Sequence, residues 1–184
     1  MKFKHALLGL IIFHFSFGNT ATAQFAVDSS SNYTLLVDSF KSTGVTVSNV
    51  TYTGNANALG YFINGNSTNL GMDRGLILTT GRVKDVDDGA SYNASISWAA
   101  SGNSLLTSMS GTNTNDAAVL EFDFIPTFDT LSFHFIYASE DYPEFAGGNP
   151  LFQDYAGAFI SGQKPGGGNY SNQNFMFVPN TTTL

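Results

Sequence analysis

Four carboxylates, Glu140, Asp141, Glu144 and Asp154, fall within fifteen residues of one another. They flank a Gly- and Pro-rich stretch, Ala146-Gly-Gly-Asn-Pro150, that follows an alternating apolar run. A hard cation such as calcium takes six to eight oxygens from carboxylates, carbonyls and water, and a loop of this kind can wrap one. Asn149 could add a side-chain oxygen. The spacing differs from the EF-hand pattern, and solvated loop acids are the competing reading. The chemistry to test is therefore a calcium ion pinning residues 140–154.

Other constellations are weaker. Glu121 and Asp123 alternate on one strand face, as acid pairs do in some jelly-roll glycosidases, where carboxylates about 5 Å apart serve as nucleophile and acid/base. Ile125 stands where a third acid of such a motif would fall, so an exposed polar sheet face accounts for the pair better. Asp85-Val-Asp-Asp88, with Asn93 nearby, suits calcium by alternation but also reads as a solvated turn. His134, between two Phe, is the one histidine after the leader and reads as structural, because no Gly-x-Ser-x-Gly elbow accompanies it. Lys164-Pro-Gly-Gly-Gly168 lacks the residue order of a phosphate loop and reads as a connection. Trp98, Tyr61 and Tyr92 are candidates for a sugar-stacking platform. No catalytic residue and no organic cofactor is expected.

These residues must act outside the cytoplasm. Lys2, Lys4 and His5 precede an apolar run from Ala6 to Phe17. Ala21-Thr-Ala23 before Gln24 then supplies a small-x-small cleavage site. The run is too short for the roughly 20 residues of a membrane-spanning helix. Residues 1–23 are thus expected to be a cleaved signal peptide, 24–32 a polar lead, and 33–184 one β-sandwich domain. Of the chain's seven basic residues two lie in the leader, leaving five against fourteen acids, a net charge of −9 after cleavage. That excess argues against nucleic acid and anionic membrane surfaces as partners. The chain has no cysteine. Neither disulfides nor zinc–thiolate sites can stabilise it, although export would permit the former.

Tyr33–Phe40 suits two helical turns ending near Gly44 as a C′ residue. Val45–Thr53 alternates in two halves that are out of phase across Ser48-Asn49, which predicts a β-bulge. Leu59–Ile63, Leu76–Thr80, Ala117–Ile125, Thr130–Ser139, Gly157–Ser161 and Phe175–Val178 read as strands. Pro126–Asp129 reads as a hairpin loop between two of them. Asp85–Ser110 reads as a long loop region with a helical turn at Leu105-Leu106. Phe122, Phe124, Phe133, Phe135 and Tyr137 fall on apolar faces and are expected in the core. Together these predict an all-β, antiparallel, jelly-roll-like sandwich with one short N-terminal helix.

Three segments resemble the bacterial choice-of-anchor L domain: Gly44–Gly54 with Ala58–Phe62, Leu70–Gly81, and Thr114–Pro126 running on to Asp129–Phe133 and Ala138–Phe145. The resemblance covers roughly residues 33–180. It implies a secreted or surface-attached protein, of a kind often carrying a sorting domain of the type IX secretion system. Family domains look longer than this chain, so the resemblance also implies a C-terminally truncated sandwich that lacks edge strands. The expected function is a non-catalytic binding, adhesive or structural module with an unidentified surface ligand, glycan or protein. A carbohydrate-binding module and a glycosidase-like jelly roll using acidic residues are the alternatives.

Overall fold

The computed structural model describes residues 24–86, 96–139 and 153–177. The fold is all-β, antiparallel and sandwich-like, with two short α-helices. Its best-buried part is a three-stranded sheet of β1 (Ala26–Ser29), β3 (Leu59–Ile63) and β4 (Gly75–Leu78), with β3 in the centre. Uncharged on both faces, Leu59-Gly-Tyr-Phe-Ile63 suits that central place, and Leu59 and Phe62 are buried. Gly60 is required there. A Cβ at this position would lie 2.1 Å from the Asp28 carbonyl oxygen on β1 and 2.8 Å from Val83 Cγ1 beneath the sheet. β1 falls inside the segment expected to be only a polar lead. It is an edge strand held by its pairing to β3, with Val27 opposite Phe62, and its own composition gives no strand signal.

Helix α1 (Tyr33–Phe40) has the predicted bounds. Asn32 caps it, its side-chain oxygen accepting from the Leu35 amide at 3.0 Å. The helix buries Leu36 and Val37, contacts β4, and sets the Tyr33 ring, tilted by 50°, against Tyr52 of β2 with centroids 5.0 Å apart. Gly44 is not its C′ residue, because the helix already ends at Lys41 in extended backbone. Gly44 instead leaves room for the Phe128 ring, which lies 3.1 Å from where a Cβ would be.

β2 (Val45–Thr53) pairs with β5 (Val119–Pro126). The register shifts between Ser48 and Thr51, and Asn49 adopts φ 52°. This is the bulge expected from the phase slip. The extra residue brings Val50 and Tyr52 back to the half-buried side already occupied by Val45 and Val47. The bulge is pinned by Asn49 Nδ2 donating to Asp123 Oδ2 at 2.6 Å.

The remaining ladder is a hairpin of β6 (Phe159–Gln163) and β7 (Asn169–Asn174). Its loop contains Gly166, Gly167 and Gly168, all at positive φ, so the Lys164–Gly168 run is a turn. The last described strand thus lies before the expected Phe175–Val178, because pairing is set outward from this turn. Helix α2 (Ser104–Ser110) extends the helical turn expected at Leu105-Leu106 to a second true helix.

A second strand expectation, besides Phe175–Val178, also fails. Among the described residues, Thr130–Ser139 enters no ladder, and no hairpin joins it to β5. Residues 127–129 bend, but no ladder follows them. The Thr127 amide donates to the Gly44 carbonyl at 2.8 Å, and Phe128 packs over Gly44, continuing the line of the β2 pairing. The placement of the aromatics in the core is corrected accordingly. Phe122 and Phe124 are half-buried, but Phe133, Phe135 and Tyr137 are 49%, 47% and 51% exposed. The described core is instead built from Leu36, Val37, Ala58, Leu59, Phe62, Val83 and Ala117.

Candidate functional site

Of the four predicted calcium ligands, Glu140, Asp141 and Glu144 lie outside the described residues, as does Asn149. Asp154 is described and exposed. Its backbone carbonyl accepts a hydrogen bond from the Tyr137 hydroxyl at 3.1 Å. Residues 137 and 154, on either side of the acid-rich stretch, are therefore in contact. Ala21 and Ala23 of the cleavage site also lie outside the described residues. Gln24 is within them, its carbonyl accepting from Asn64 Nδ2 at 2.8 Å.

Glu121 and Asp123 sit on the exposed side of β5. Asp123 is the acceptor for the bulge residue Asn49, which gives this acid a structural use. Asp85 ends a 3-10 turn, Val83–Asp85, and Asp87, Asp88, Asn93 and Tyr92 lie outside the described residues. Among the described residues, no three His, Asp or Glu side chains gather as a metal site. No described helix is long and apolar enough to cross a membrane.

The aromatic candidates separate. Trp98 is half-buried and engaged: its indole Nε1 donates to the Thr80 carbonyl at 3.1 Å, and the Arg82 guanidinium lies 5.8 Å from its ring centre. Tyr61 lines a cleft between α1 and the three-stranded sheet, with Ser30, Leu35, Leu36, Phe40 and Arg74 also on its wall. The cleft holds about 220 Å³. Leu35 and Ile63 stand exposed at it, at 61% and 39%. The two serines on its wall, Ser30 and Ser39, are used locally. Ser30 Oγ accepts the Asn32 amide, and Ser39 Oγ donates to the Leu35 carbonyl.

Arg74 has no such engagement. Lys41 pairs with Asp38 at 2.8 Å and Lys84 with Asp28 at 3.3 Å. Arg82 faces Trp98, and Lys164 lies 4.8 Å from the ring centre of Tyr170. Among the described residues, Arg74 is the basic side chain left without an anionic or aromatic partner. It can offer a planar fork of donors to a carboxylate beside the Tyr61 ring.

Two residues missed by sequence reasoning organise the loops over the sheets. Asp116 adopts φ 52°. Its carboxylate accepts the Trp98 amide at 3.2 Å and the Ala100 amide at 2.7 Å. Thr114 Oγ1 accepts the Asn103 amide at 3.1 Å and contacts Thr107 Oγ1 at 2.9 Å, tying the approach to β5 onto α2. Gly102 permits this closeness, since a Cβ there would lie 1.9 Å from the Thr114 carbonyl oxygen. The available signal was Thr-Asn-Asp immediately before a strand, where short polar side chains bond neighbouring backbone.

Tyr52 is also perturbed. Burial, with a smaller contribution from neighbouring Tyr33, pushes its phenol up to about 12. Its hydroxyl donates to the Asn55 carbonyl at 2.8 Å, so it ties down the β2–β3 turn.

No curated protein and no solved structure matches the chain. The family model for the choice-of-anchor L domain matches residues 22–184. The match takes in the polar clasp of Thr114 and Asp116, the bulged β2–β5 ladder and the cleft, and the chain belongs to the choice-of-anchor L domain family, whose members are surface-associated modules.

Proposed function

We propose that the protein is exported by its N-terminal leader and acts outside the cell or on its outer surface as a non-catalytic binding or adhesion module. The α1 cleft is its ligand-contacting surface. The observation that carries this reading is Arg74, an unengaged cation in an acidic chain, placed beside Tyr61 and an apolar wall. Two of the acids, by contrast, are used as scaffold: Asp116 in the loop before β5 and Asp123 on β5. A ligand with an apolar face and a carboxylate fits the cleft.

A carbohydrate ligand is the second reading, favoured by the Tyr61 ring, which can stack on a sugar face while Arg74 takes a uronic carboxylate. A glycan array with and without calcium tests both readings. The carbohydrate reading expects carboxylated glycans to bind and Arg74→Ala to weaken them at least roughly tenfold, the loss of about one charge-assisted bond. A protein or peptide ligand is favoured if no glycan binds while cell-surface extracts still compete for Tyr61 and Arg74. Binding insensitive to both Tyr61→Ala and Arg74→Ala overturns the cleft assignment.

Calcium bound by Glu140, Asp141, Glu144 and Asp154 belongs to the same proposal. It is supported by the Tyr137–Asp154 bond that closes the ends of that stretch. Calcium should raise the melting temperature, chelator should reverse the rise, and Glu140→Gln with Asp141→Asn should abolish it. A melting temperature indifferent to both additions disproves the metal.

A further inference from the structure

Asn64-Gly65 is the one Asn-Gly pair in the sequence. Such a pair is chemically labile, because the glycine amide nitrogen, unhindered by a side chain, can attack the asparagine side-chain carbonyl. The turn that follows β3 needs both residues. Asn64 stands at φ 59° and ψ 31°, a left-handed conformation that asparagine tolerates. Gly65 is buried, and a Cβ on it would collide with the Met72 carbonyl oxygen. The fold therefore keeps the reactive pair and has to hold it still.

The folded turn opposes the reaction at each atom involved. Ring closure requires the Gly65 nitrogen and the Asn64 Cβ on the same side of the Asn64 Cα–C bond, and at ψ 31° they lie on nearly opposite sides. The attacking N–H is donated to the Asp73 carbonyl at 2.7 Å. The leaving amide is engaged as well, Asn64 Nδ2 donating to the Gln24 carbonyl at 2.8 Å. The Asn64 carbonyl accepts from the Ser67 amide and hydroxyl at 3.0 and 2.7 Å, which fixes the backbone angle. Opening the turn removes these restraints together. The Gly65 nitrogen then bonds to Asn64 Cγ, the Cγ–Nδ2 bond breaks, and ammonia leaves with the Gly65 proton. Water opens the resulting five-membered imide at either carbonyl, giving aspartate or isoaspartate.

Neither product rebuilds the original contact. Aspartate sets a carboxylate, which has no proton to donate, against the Gln24 carbonyl just ahead of β1. Isoaspartate runs the main chain through the former side chain and adds a backbone carbon beside Gly65, where even a Cβ has no room. We propose that Asn64-Gly65 is a self-deamidation site gated by the fold, shut in the folded protein and open in the unfolded one, whose products prevent β1 from docking again on β3.

Ageing the protein at mildly alkaline pH, with and without unfolding guanidinium, tests this by site-resolved mass spectrometry and an isoaspartate assay. Asn64 should gain the amide-to-acid mass change at least about tenfold faster in guanidinium than in buffer, since the folded chain reacts only through local opening. Asn57 and Asn103, followed by Ala58 and Ser104, should change little in the same time. After guanidinium is removed, the fraction regaining the folded melting transition should fall in step with modification at Asn64. Asn64→Gly keeps the left-handed turn and removes the reactive amide, so it should refold fully after the same ageing. Equal rates with and without guanidinium, or no reaction at Asn64 in either, overturn the proposal. So does refolding that ignores the modification, or an Asn64→Gly protein that loses refolding as fast as the unsubstituted chain.

Discussion

Asp116 shows how a single side chain sets the course of a loop. It holds a left-handed backbone conformation that Asp tolerates better than most residues, and offers both carboxylate oxygens to amides 18 and 16 positions earlier. Asp116→Ala should lower stability by about 2–3 kcal/mol, since two amides lose a charged acceptor. Asp116→Asn should cost less, and urea unfolding of the two variants measures the difference. Tyr52 gives a pH signature. Its folded-state value, about 12, lies above the unfolded 10. The unfolded chain therefore loses this proton first as pH rises. The contribution is complete below pH 10 and disappears as pH climbs through 12. The stability gap between the unsubstituted protein and Tyr52→Phe should narrow over that window. Neither role was legible in the sequence. The partners of Asp116 are backbone groups in a stretch with no pattern of its own, and the Tyr52 environment depends on α1 folding against β2.

At the level of elements, the bulge in β2 was legible and the fate of Thr130–Ser139 was not. The bulge leaves a local mark, since an inserted residue shifts the alternation of Val45 and Val47 relative to Val50 and Tyr52. Asn49→Val should cost about 2–3 kcal/mol, combining a β-branched residue at positive φ with loss of the Asp123 bond. Asn49→Gly keeps the backbone and should lose only about 1 kcal/mol, for the bond alone. Chemical denaturation of both variants separates the two effects. Thr130–Ser139 carries an equally clear alternation, but alternation specifies a strand's faces and says nothing about its neighbour. The Thr127–Gly44 bond, made across 83 positions, extends the β2–β5 pairing past Pro126, and alternation gives no sign of such a contact. β1 escaped notice for the complementary reason. Ala-Val-Asp-Ser has no strand character until β3 lies beside it.

For the molecule as a whole, composition predicted the class and the family resemblance predicted the domain. The site was less accessible. Arg74 stood out only once every other basic side chain of residues 24–184 had been placed against a partner. The leader belongs to this scale too. Gln24, the residue after the proposed cleavage point, already belongs to the fold: its carbonyl accepts from Asn64, and β1 behind it pairs with β3. The exported protein should therefore begin at Gln24 by intact mass. A retained leader in the exported form would overturn that assignment.

The β2–β5 ladder also has a consequence in time. Asn49 and Asp123, bonded across it, are 74 residues apart along the chain. If the chain is exported as proposed, N-terminus first, it presents Val45–Thr53 well before Val119–Pro126 arrives. Throughout that interval β2 is an unpaired, half-apolar strand in a compartment crowded with other emerging chains. Non-local pairing of this kind is slow and leaves an edge open to the wrong neighbour. Under the proposed export, the pace of translocation and the supply of chaperones that hold strands apart would set how much of the protein reaches its fold, independently of how stable that fold is once closed.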